Sequence, residues 1–307
     1  MCSTRTMTGI CEGRVVVVTG AGRGIGRGHA LEFARQGARV VVNDLGGSSD
    51  GTGASAGPAS EVVDQIRSQG GEAIANSDDV SDWDGSARLI QSAVDTFGHL
   101  DTLVCNAGIL RDRMLVSITE ADWDAVMRVH LKGTAGPLHH VAAYWREQVK
   151  AGGTVDGRVV GTSSAAGLYG NIGQGNYAAA KAGIAALMRV ASAELRRYGV
   201  TANTIAPIAR SRMTENLFPD SMARPERGFD AMDAENVAPL VVWLGSNEAR
   251  DVTGWTFEVQ GGTISVAEGW EKGPEATRDD RWDPAELGSV VRDLVAKAPQ
   301  PRAVIGS

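Results

Sequence analysis

A glycine-rich loop between a short apolar run and a helical segment constrains this chain more than any other feature. The loop reads Thr19-Gly-Ala-Gly-Arg-Gly-Ile-Gly26 and follows the run Arg14–Val18; a second run, Ala38–Asn43, ends at Asp44. Short apolar runs are typical of parallel strands covered on both faces. Glycines let backbone N–H groups approach a pyrophosphate at a helix N-terminus. This order of elements predicts a parallel sheet that binds a dinucleotide, and a plain glycine-rich turn is the alternative.

Asp44 indicates which dinucleotide the loop binds. A carboxylate at the end of the second strand can accept hydrogen bonds from both hydroxyls of the adenosine ribose, and it repels a 2′-phosphate. The next residues are Leu-Gly-Gly, so no arginine follows to bind such a phosphate. We therefore expect NAD rather than NADP as the cofactor.

Strands and helices alternate through most of the chain. The further predicted strands are Glu72–Asn76, Leu100–Val104, Arg158–Thr162, Val200–Ile205 and Trp255–Val259. Short connections between alternating elements indicate a doubly wound parallel sheet. We expect an α/β fold, with residues 1–262 forming one Rossmann-type domain of seven parallel strands with helices on both faces. Residues 263–307 would form a C-terminal extension with one helix.

Tyr177 and Lys181 stand four residues apart in an alanine-rich segment with high helix propensity. This spacing places the phenol and the ammonium on one helical face. A nearby cation favours the phenolate and lowers the pKa of a tyrosine from about 10, as a general base requires. Ser164 lies upstream across a turn rich in Gly and Asn, where it can hold the oxygen of a carbonyl or alcohol. The alternative is an ordinary amphipathic helix with a surface Tyr and Lys.

Composition narrows the partners. The 307 residues carry a formal net charge of −7, which argues against a nucleic-acid partner because phosphate binding needs a basic surface. Cys2, Cys11 and Cys105 show neither paired nor metal-ligand spacing, so we expect a reducing cytoplasmic location and no metal. No apolar run approaches the length of a membrane span, so no membrane partner is expected.

Together, Thr19-Gly-x-x-x-Gly-Ile-Gly26, Asn106-Ala-Gly108, and Ser164 with Tyr177-x-x-x-Lys181 resemble the motif set of the short-chain dehydrogenase/reductase family. The resemblance covers roughly residues 13–262. It implies that Tyr177 is the catalytic acid/base, that Ser164 orients the substrate oxygen, and that Lys181 binds the nicotinamide ribose and lowers the pKa of Tyr177.

The same resemblance implies the cofactor contacts. Asn106 and Gly108 would line the adenosine side, Asp79 and Val80 would contact adenine, and Ser211 matches the family's carboxamide-contacting Thr. The full expected set is Gly20, Arg23, Gly24, Ile25, Gly26, Asp44, Asp79, Val80, Asn106, Ala107, Gly108, Tyr177, Lys181 and Ser211.

Two positions depart from the family pattern. His130 stands where the family usually has a catalytic Asn that holds a proton-relaying water. A neutral imidazole can bond such a water, and near pH 7 it can carry the proton itself; a half-buried His that fills space is the alternative. Ile208 follows Pro207 where the family usually has Gly, and because Ile does not readily take positive φ, we expect a different loop conformation.

A narrower resemblance concerns the substrate. Val42–Gly47, Asn106–Arg113 and Val129–Gly133 resemble a branch that contains the (3R)-hydroxyacyl-CoA dehydrogenase unit of the peroxisomal D-specific multifunctional β-oxidation enzyme and stand-alone bacterial relatives. Some members of that branch oxidise 17β-hydroxysteroids. The resemblance implies a hydrophobic or CoA-thioester substrate. Candidate CoA contacts are Arg111, Arg113, Arg210 and Arg212.

The remaining segments leave alternatives open. Residues 212–232 are expected to form a substrate lid whose mixed apolar character suits a bulky hydrophobic substrate. In the extension, Leu287, Val290, Val291 and Leu294 form an apolar stripe that must be buried on its own subunit or on a neighbour. The family resemblance implies a homodimer or homotetramer. The alternatives for function are the same chemistry on another hydrophobic alcohol, such as a terpenoid, and a sensor that binds NAD without turnover.

Overall fold

The computed structural model, which describes residues 9–210 and 222–306, contains one large β-sheet. In this part of the chain eight strands pair in the order β3-β2-β1-β4-β5-β6-β7-β8. The strands are β1 Val15–Thr19, β2 Arg39–Asn43, β3 Glu72–Asn76, β4 Thr102–Cys105, β5 Gly157–Thr162, β6 Val200–Ile208, β7 Thr256–Gln260 and β8 Thr263–Val266. The pairings from β3 through β7 are all parallel. The doubly wound α/β fold is therefore confirmed.

Helices cover both faces of the sheet. They are α1 Gly24–Arg35, α2 Gly57–Ser68, α3 Trp83–Phe97, α4 Glu120–Met127, α5 Gly133–Lys150, α6 Ala165–Tyr169, α7 Gly175–Leu195, α8 Ala238–Leu244 and α9 Leu287–Lys297. Alternate residues of β1 point to opposite faces. Val16 and Val18 join a core with residues of α1, α2 and α8, whereas Val15 and Val17 join a second core with residues of α3, α5 and α7. None of the helices in residues 9–210 and 222–306 is long and apolar enough to cross a membrane.

The eighth strand is an addition to the seven that the sequence predicts. β8 pairs antiparallel with β7 across Gly261 and Gly262, and Gly261 takes a positive φ of 54°. A two-residue Gly-Gly connection is a strong hairpin signal. The sheet therefore continues four residues beyond the expected domain boundary at residue 262.

The C-terminal extension contains the expected helix, α9. α9 contains no buried residue, and Val291 is 50% exposed. Leu287, Val290 and Leu294 are half-buried. Within the single chain, the apolar stripe is therefore only partly covered.

A cluster of charged side chains links the residue before β1 to the start of β5. Arg14 and Arg158 are 5% and 1% exposed, and they share the carboxylate of Asp156 at 3.0 and 2.5 Å. One carboxylate thus bridges two buried guanidinium groups of neighbouring segments. The Asp156 side chain itself is 46% exposed, but its loss would leave the charges of both guanidinium groups desolvated.

Asp156→Ala should lower the free energy of unfolding by about 2 kcal/mol, since it leaves two buried guanidinium groups without their shared carboxylate. Urea unfolding followed by circular dichroism measures this change. Glu147→Gln is the matched control, because Glu147 pairs with Lys150 on the surface and exposed pairs contribute little. Equal unfolding midpoints for the two variants would contradict the bridging role of Asp156.

Candidate active site

The carboxyl ends of the parallel strands open into one cleft of about 550 Å³, a size typical of small-molecule sites. Fifteen of the sequence-predicted site residues line it. They are Gly20, Arg23, Gly24, Ile25, Gly26, Asp44, Asp79, Val80, Asn106, Ala107, Gly108, His130, Ser164, Tyr177 and Lys181. Ser211, the remaining predicted contact, lies outside the described residues.

The glycine loop forms one end of the cleft. Gly20 has a φ of +63°, and a Cβ there would lie 2.7 Å from the Cα of Ala107. A Cβ on Gly26 would lie 2.2 Å from the Gly20 carbonyl oxygen. No side-chain cap bonds the first turn of α1, which starts at Gly24. Because those N–H groups lack a side-chain acceptor, the loop fits a pyrophosphate at the helix N-terminus.

Asp44 is fixed beside this loop by two backbone bonds. Its Oδ2 accepts from the Gly22 N–H at 2.8 Å and its Oδ1 accepts from the Gly46 N–H at 2.7 Å. Each carboxylate oxygen still has a further lone pair. The held carboxylate therefore fits the two hydroxyls of a ribose, and its charge opposes a 2′-phosphate.

Asp79 and Val80 lie next to this end of the cleft. The Oδ1 of Asp79 accepts from the backbone N–H and the hydroxyl of Ser81 at 2.8 and 2.6 Å. Arg128 lies 3.6 Å from its Oδ2. Val80 is 6% exposed and supplies an apolar surface beside the carboxylate. This pairing of one apolar and one polar side chain suits the ring and edge of a nucleobase.

Lys181 projects from α7 into the buried middle of the cleft. It is 3% exposed, and its Nζ donates to the carbonyl oxygen of Thr162 at 2.7 Å. The Nζ lies 5.6 Å from the centre of the Tyr177 ring. Burial lowers the pKa of Lys181 to about 7, because desolvation disfavours the ammonium.

Tyr177 behaves differently from the sequence-based expectation. Burial raises its pKa to about 12, the hydrogen bond with Ser164 opposes this rise, and the carboxylate of Asp112 adds to it. The net direction is thus opposite to the lowering that proximity to Lys181 predicts, because desolvation is the largest cause. Tyr177 is therefore a neutral phenol at neutral pH.

Ser164 is placed by the start of a short helix. It is the N-cap of α6, where its Oγ accepts from the Ala166 N–H at 3.2 Å. The neighbouring Ser163 ties this strand end to α7 through its hydroxyl, which donates to the Lys181 carbonyl oxygen at 2.8 Å. The serine and tyrosine hydroxyls can thus meet at one substrate oxygen.

His130 lies in a π-helical turn, Arg128–Lys132, between α4 and α5. Its Nε2 is 3.0 Å from the nitrogen and 2.7 Å from the oxygen of Ile109, and its ring stands edge-on to Tyr177 with centres 5.2 Å apart. Nδ1 is buried and has no hydrogen-bond partner. Burial lowers the pKa of His130 to about 3, so the ring is neutral at pH 7. The low pKa disfavours the imidazolium that direct proton transfer by His130 would need near neutral pH.

The far end of the cleft is mainly apolar. The lining residues there are Pro207, Ile208, Ala209, Met222, Met232, Ile305, Asn171 and Gln174. β6 continues through Ile208, and none of the non-glycine residues in 9–210 and 222–306 has a positive φ. An extended strand end thus replaces the glycine turn of the family.

A row of hydrogen-bonded polar side chains, Asn171, Gln174 and Asp112, lies near Tyr177 and was not identified from the sequence. Gln174 donates through Nε2 to Asp112 at 2.8 Å and accepts through Oε1 from Asn171 at 2.9 Å. Asn171 and Gln174 belong to the turn between Ser164 and Tyr177, so their position in the sequence could have indicated that they line the site. No such indication exists for Ile305, because Ile305 lies far along the chain from the catalytic residues.

Two candidate CoA contacts have structural partners instead. Arg210 binds Asp230 through both terminal nitrogens, at 2.8 and 2.6 Å, and donates through Nε to the Met222 carbonyl oxygen at 2.6 Å. Arg111 donates to the carbonyl oxygen of Asp50 at 3.0 Å. Arg113 stays exposed. Arg212 and the first part of the expected lid lie outside the described residues.

Comparisons with known proteins identify the family of this chain. The profile of the family described as short chain dehydrogenase matches residues 14–221. Peroxisomal multifunctional enzyme type 2 of Mus musculus is 44% identical over 285 residues, which cover 89% of this chain but 36% of that protein. The hydroxyacyl-CoA dehydrogenase ChsB1 of Mycobacterium tuberculosis is 44% identical over 298 residues, covering 95% of this chain and 91% of that protein.

A solved structure extends the likeness to three dimensions. The crystal structure of a short chain dehydrogenase from Mycobacterium avium is 60% identical, with a TM-score of 0.89, and covers 97% of this chain and 100% of that one. The matched profile, the identity with these relatives and the shared fold lead to one conclusion: this chain belongs to the short-chain dehydrogenase family, and it is an oxidoreductase acting on CH–OH groups.

Proposed function

We propose that this protein is an NAD-dependent dehydrogenase that interconverts (3R)-3-hydroxyacyl-CoA and 3-oxoacyl-CoA thioesters. The observation that carries the proposal is the Ser164–Tyr177 pair between an apolar cleft end and the Asp44 end. The first end suits an acyl chain, and the second suits a ribose without a 2′-phosphate.

The relatives support this substrate class. The M. tuberculosis relative is named a hydroxyacyl-CoA dehydrogenase and matches nearly its whole length. Because the chain spans 36% of the mouse multifunctional enzyme, only the dehydrogenase reaction is proposed here. A 17β-hydroxysteroid would use the same apolar walls, as would a terpenoid alcohol. The alternative function, a sensor that binds NAD without turnover, is not favoured. This chain belongs to a dehydrogenase family, and Ser164, Tyr177 and Lys181 all line its cleft.

The proposed mechanism assigns one task to each side chain. The Ser164 hydroxyl hydrogen-bonds the substrate oxygen and fixes it beside Tyr177. In reduction the neutral Tyr177 phenol donates its proton to that oxygen, and in oxidation it takes the proton back. When bound, the nicotinamide dinucleotide supplies the acceptor or donor of the hydride. Lys181 would hold the nicotinamide ribose, and His130 positions the Ile109 backbone beside Tyr177 through Nε2.

Two further expectations stay predictions. The cytoplasmic location is expected from the scattered spacing of the three cysteines in the sequence. Among the described residues, Cys11 and Cys105 are buried free thiols. A homodimer or homotetramer follows from the family resemblance alone.

Tyr177→Phe tests the proposed function. It should lower kcat for 3-oxobutanoyl-CoA reduction by about a thousandfold, because the proton donor is lost, while NADH binding is retained. Absorbance at 340 nm follows turnover, and fluorescence titration follows binding. Tyr198→Phe is the control, since Tyr198 stacks under Arg197 away from the cleft. A wild type that turns over a 17β-hydroxysteroid but no CoA thioester would overturn the substrate class.

Asp44→Ala should shift the preference from NAD towards NADP by about tenfold or more, because it removes both the ribose acceptor and the charge that opposes a 2′-phosphate. The ratio of kcat/KM values for the two cofactors measures this shift. Asp50→Asn removes a charge from the same loop, where Asp50 bonds Thr52, and should leave the ratio unchanged. An identical ratio in the Asp44 variant would refute the electrostatic argument.

His130→Phe should lower kcat by about tenfold or more without altering substrate KM, because Phe fills a similar space but cannot bond the Ile109 backbone that His130 holds beside Tyr177. His130→Asn, which restores the family amide, should retain most of the turnover. Since the pKa of His130 is about 3, the pH–rate profile between pH 5 and 9 should keep its shape in both variants. Equal turnover of the Phe variant and the wild type would show that His130 only fills space.

A further inference from the structure

Ile305, far along the chain from the catalytic residues, lines the active-site cleft. The Ile305 N–H donates to the Gly170 carbonyl oxygen at 3.1 Å, and the Ile172 N–H donates to the Ile305 carbonyl oxygen at 3.0 Å. These bonds form a parallel bridge with Asn171. The turn that pairs with Ile305 connects Ser164 to Tyr177. Ile305 is therefore attached to the segment that carries these two residues.

Ile305 differs from its neighbours in exposure. It is half-buried, whereas residues 301–304 and Gly306 are exposed. It lines the cleft together with Met222 and Tyr177. A β-branched side chain whose backbone is bonded on both sides has few rotamers to choose from. Ile305 thus presents a stiff apolar wall in the cleft that Tyr177 also lines.

Arg302 provides a second attachment. Its guanidinium lies 3.7 Å above the centre of the Tyr169 ring and 4.0 Å from the carboxylate of Glu258. The Tyr169 hydroxyl donates to the same carboxylate at 2.8 Å. Cation–π contacts of this kind favour arginine. Arg302 is therefore a positioning residue, because it anchors the tail three residues before Ile305.

We propose that Ile305 is a specificity-determining residue, which limits the bulk of the substrate group next to the carbinol carbon. This inference rests on the proposed function for its substrate class. An aliphatic wall discriminates between substrates by size, because a few added carbons cannot enter a filled pocket. Shortening Ile305 should therefore admit bulkier acyl groups, and enlarging it should exclude them.

The test compares two thioesters that differ beside the ketone, linear 3-oxobutanoyl-CoA and bulky 3-cyclohexyl-3-oxopropanoyl-CoA. In Ile305→Ala the ratio of kcat/KM values, bulky over linear, should rise about tenfold above the wild type. In Ile305→Phe the ratio should fall about tenfold, with the linear substrate little affected. Val304→Ala is the matched control on the same tail, because Val304 packs against Gly170 and does not line the cleft.

A ratio in Ile305→Ala equal to that in Val304→Ala overturns the proposal. If the wild type reduces neither thioester, the proposed substrate class has failed instead. The same three variants are then compared on a small and a bulky member of whichever alcohol class the wild type does oxidise. An unchanged ratio there also overturns the role of Ile305.

Arg302 supplies an independent readout. Arg302→Ala should move the ratio in the same direction as Ile305→Ala, by about threefold, because the wall loses its cation–π anchor on Tyr169. Arg302→Lys keeps the charge and should restore part of the selectivity. A ratio unchanged in Arg302→Ala would contradict the positioning role.

Discussion

The contact between the loops that follow β1 and β4 is the constraint on which the site depends. Asn106 donates through Nδ2 to the carbonyl oxygens of Thr19 and Gly20, both at 3.1 Å. The Thr19 hydroxyl accepts the Asn106 and Ala107 N–H groups at 3.0 and 3.1 Å. β1 and β4 are neighbours where the strand order reverses, which is where such sheets bind ligands. Any side chain at Gly20 would separate these loops and deform both halves of the cleft.

Burial sets the electrostatics of the site more strongly than pairing does. Desolvation is the main cause of the raised pKa of Tyr177 and of the lowered pKa values of Lys181 and His130. All three changes favour the neutral form. The site therefore favours a protonated Tyr177 phenol, the form that can donate a hydrogen bond to a ketone oxygen.

The sequence was informative where a local pattern determines the structure. The strand Glu72–Asn76 was predicted with its observed bounds, and the glycine loop and Asp44 lie together as their spacing implied. The pKa balance of Tyr177 could not be predicted, because a four-residue spacing shows proximity to Lys181 but not the depth of burial. The pairing of Ile305 with Asn171 is likewise non-local, and no periodic pattern marks it.

The contacts that hold the tail only just outweigh the entropy cost of fixing it against the cleft. Closing the connection from β8 to Ile305 costs on the order of 3 kcal/mol in chain entropy. Two backbone hydrogen bonds contribute about 2 kcal/mol, the stacking of Arg302 about 1, and partial burial of Ile305 about 1. Gains exceed costs by only about 1 kcal/mol on this scale, so each contact of the tail matters for holding Ile305 in place. Loss of the Arg302 stacking alone would remove that margin, which is why the selectivity of the cleft is expected to depend on Arg302 as well as on Ile305.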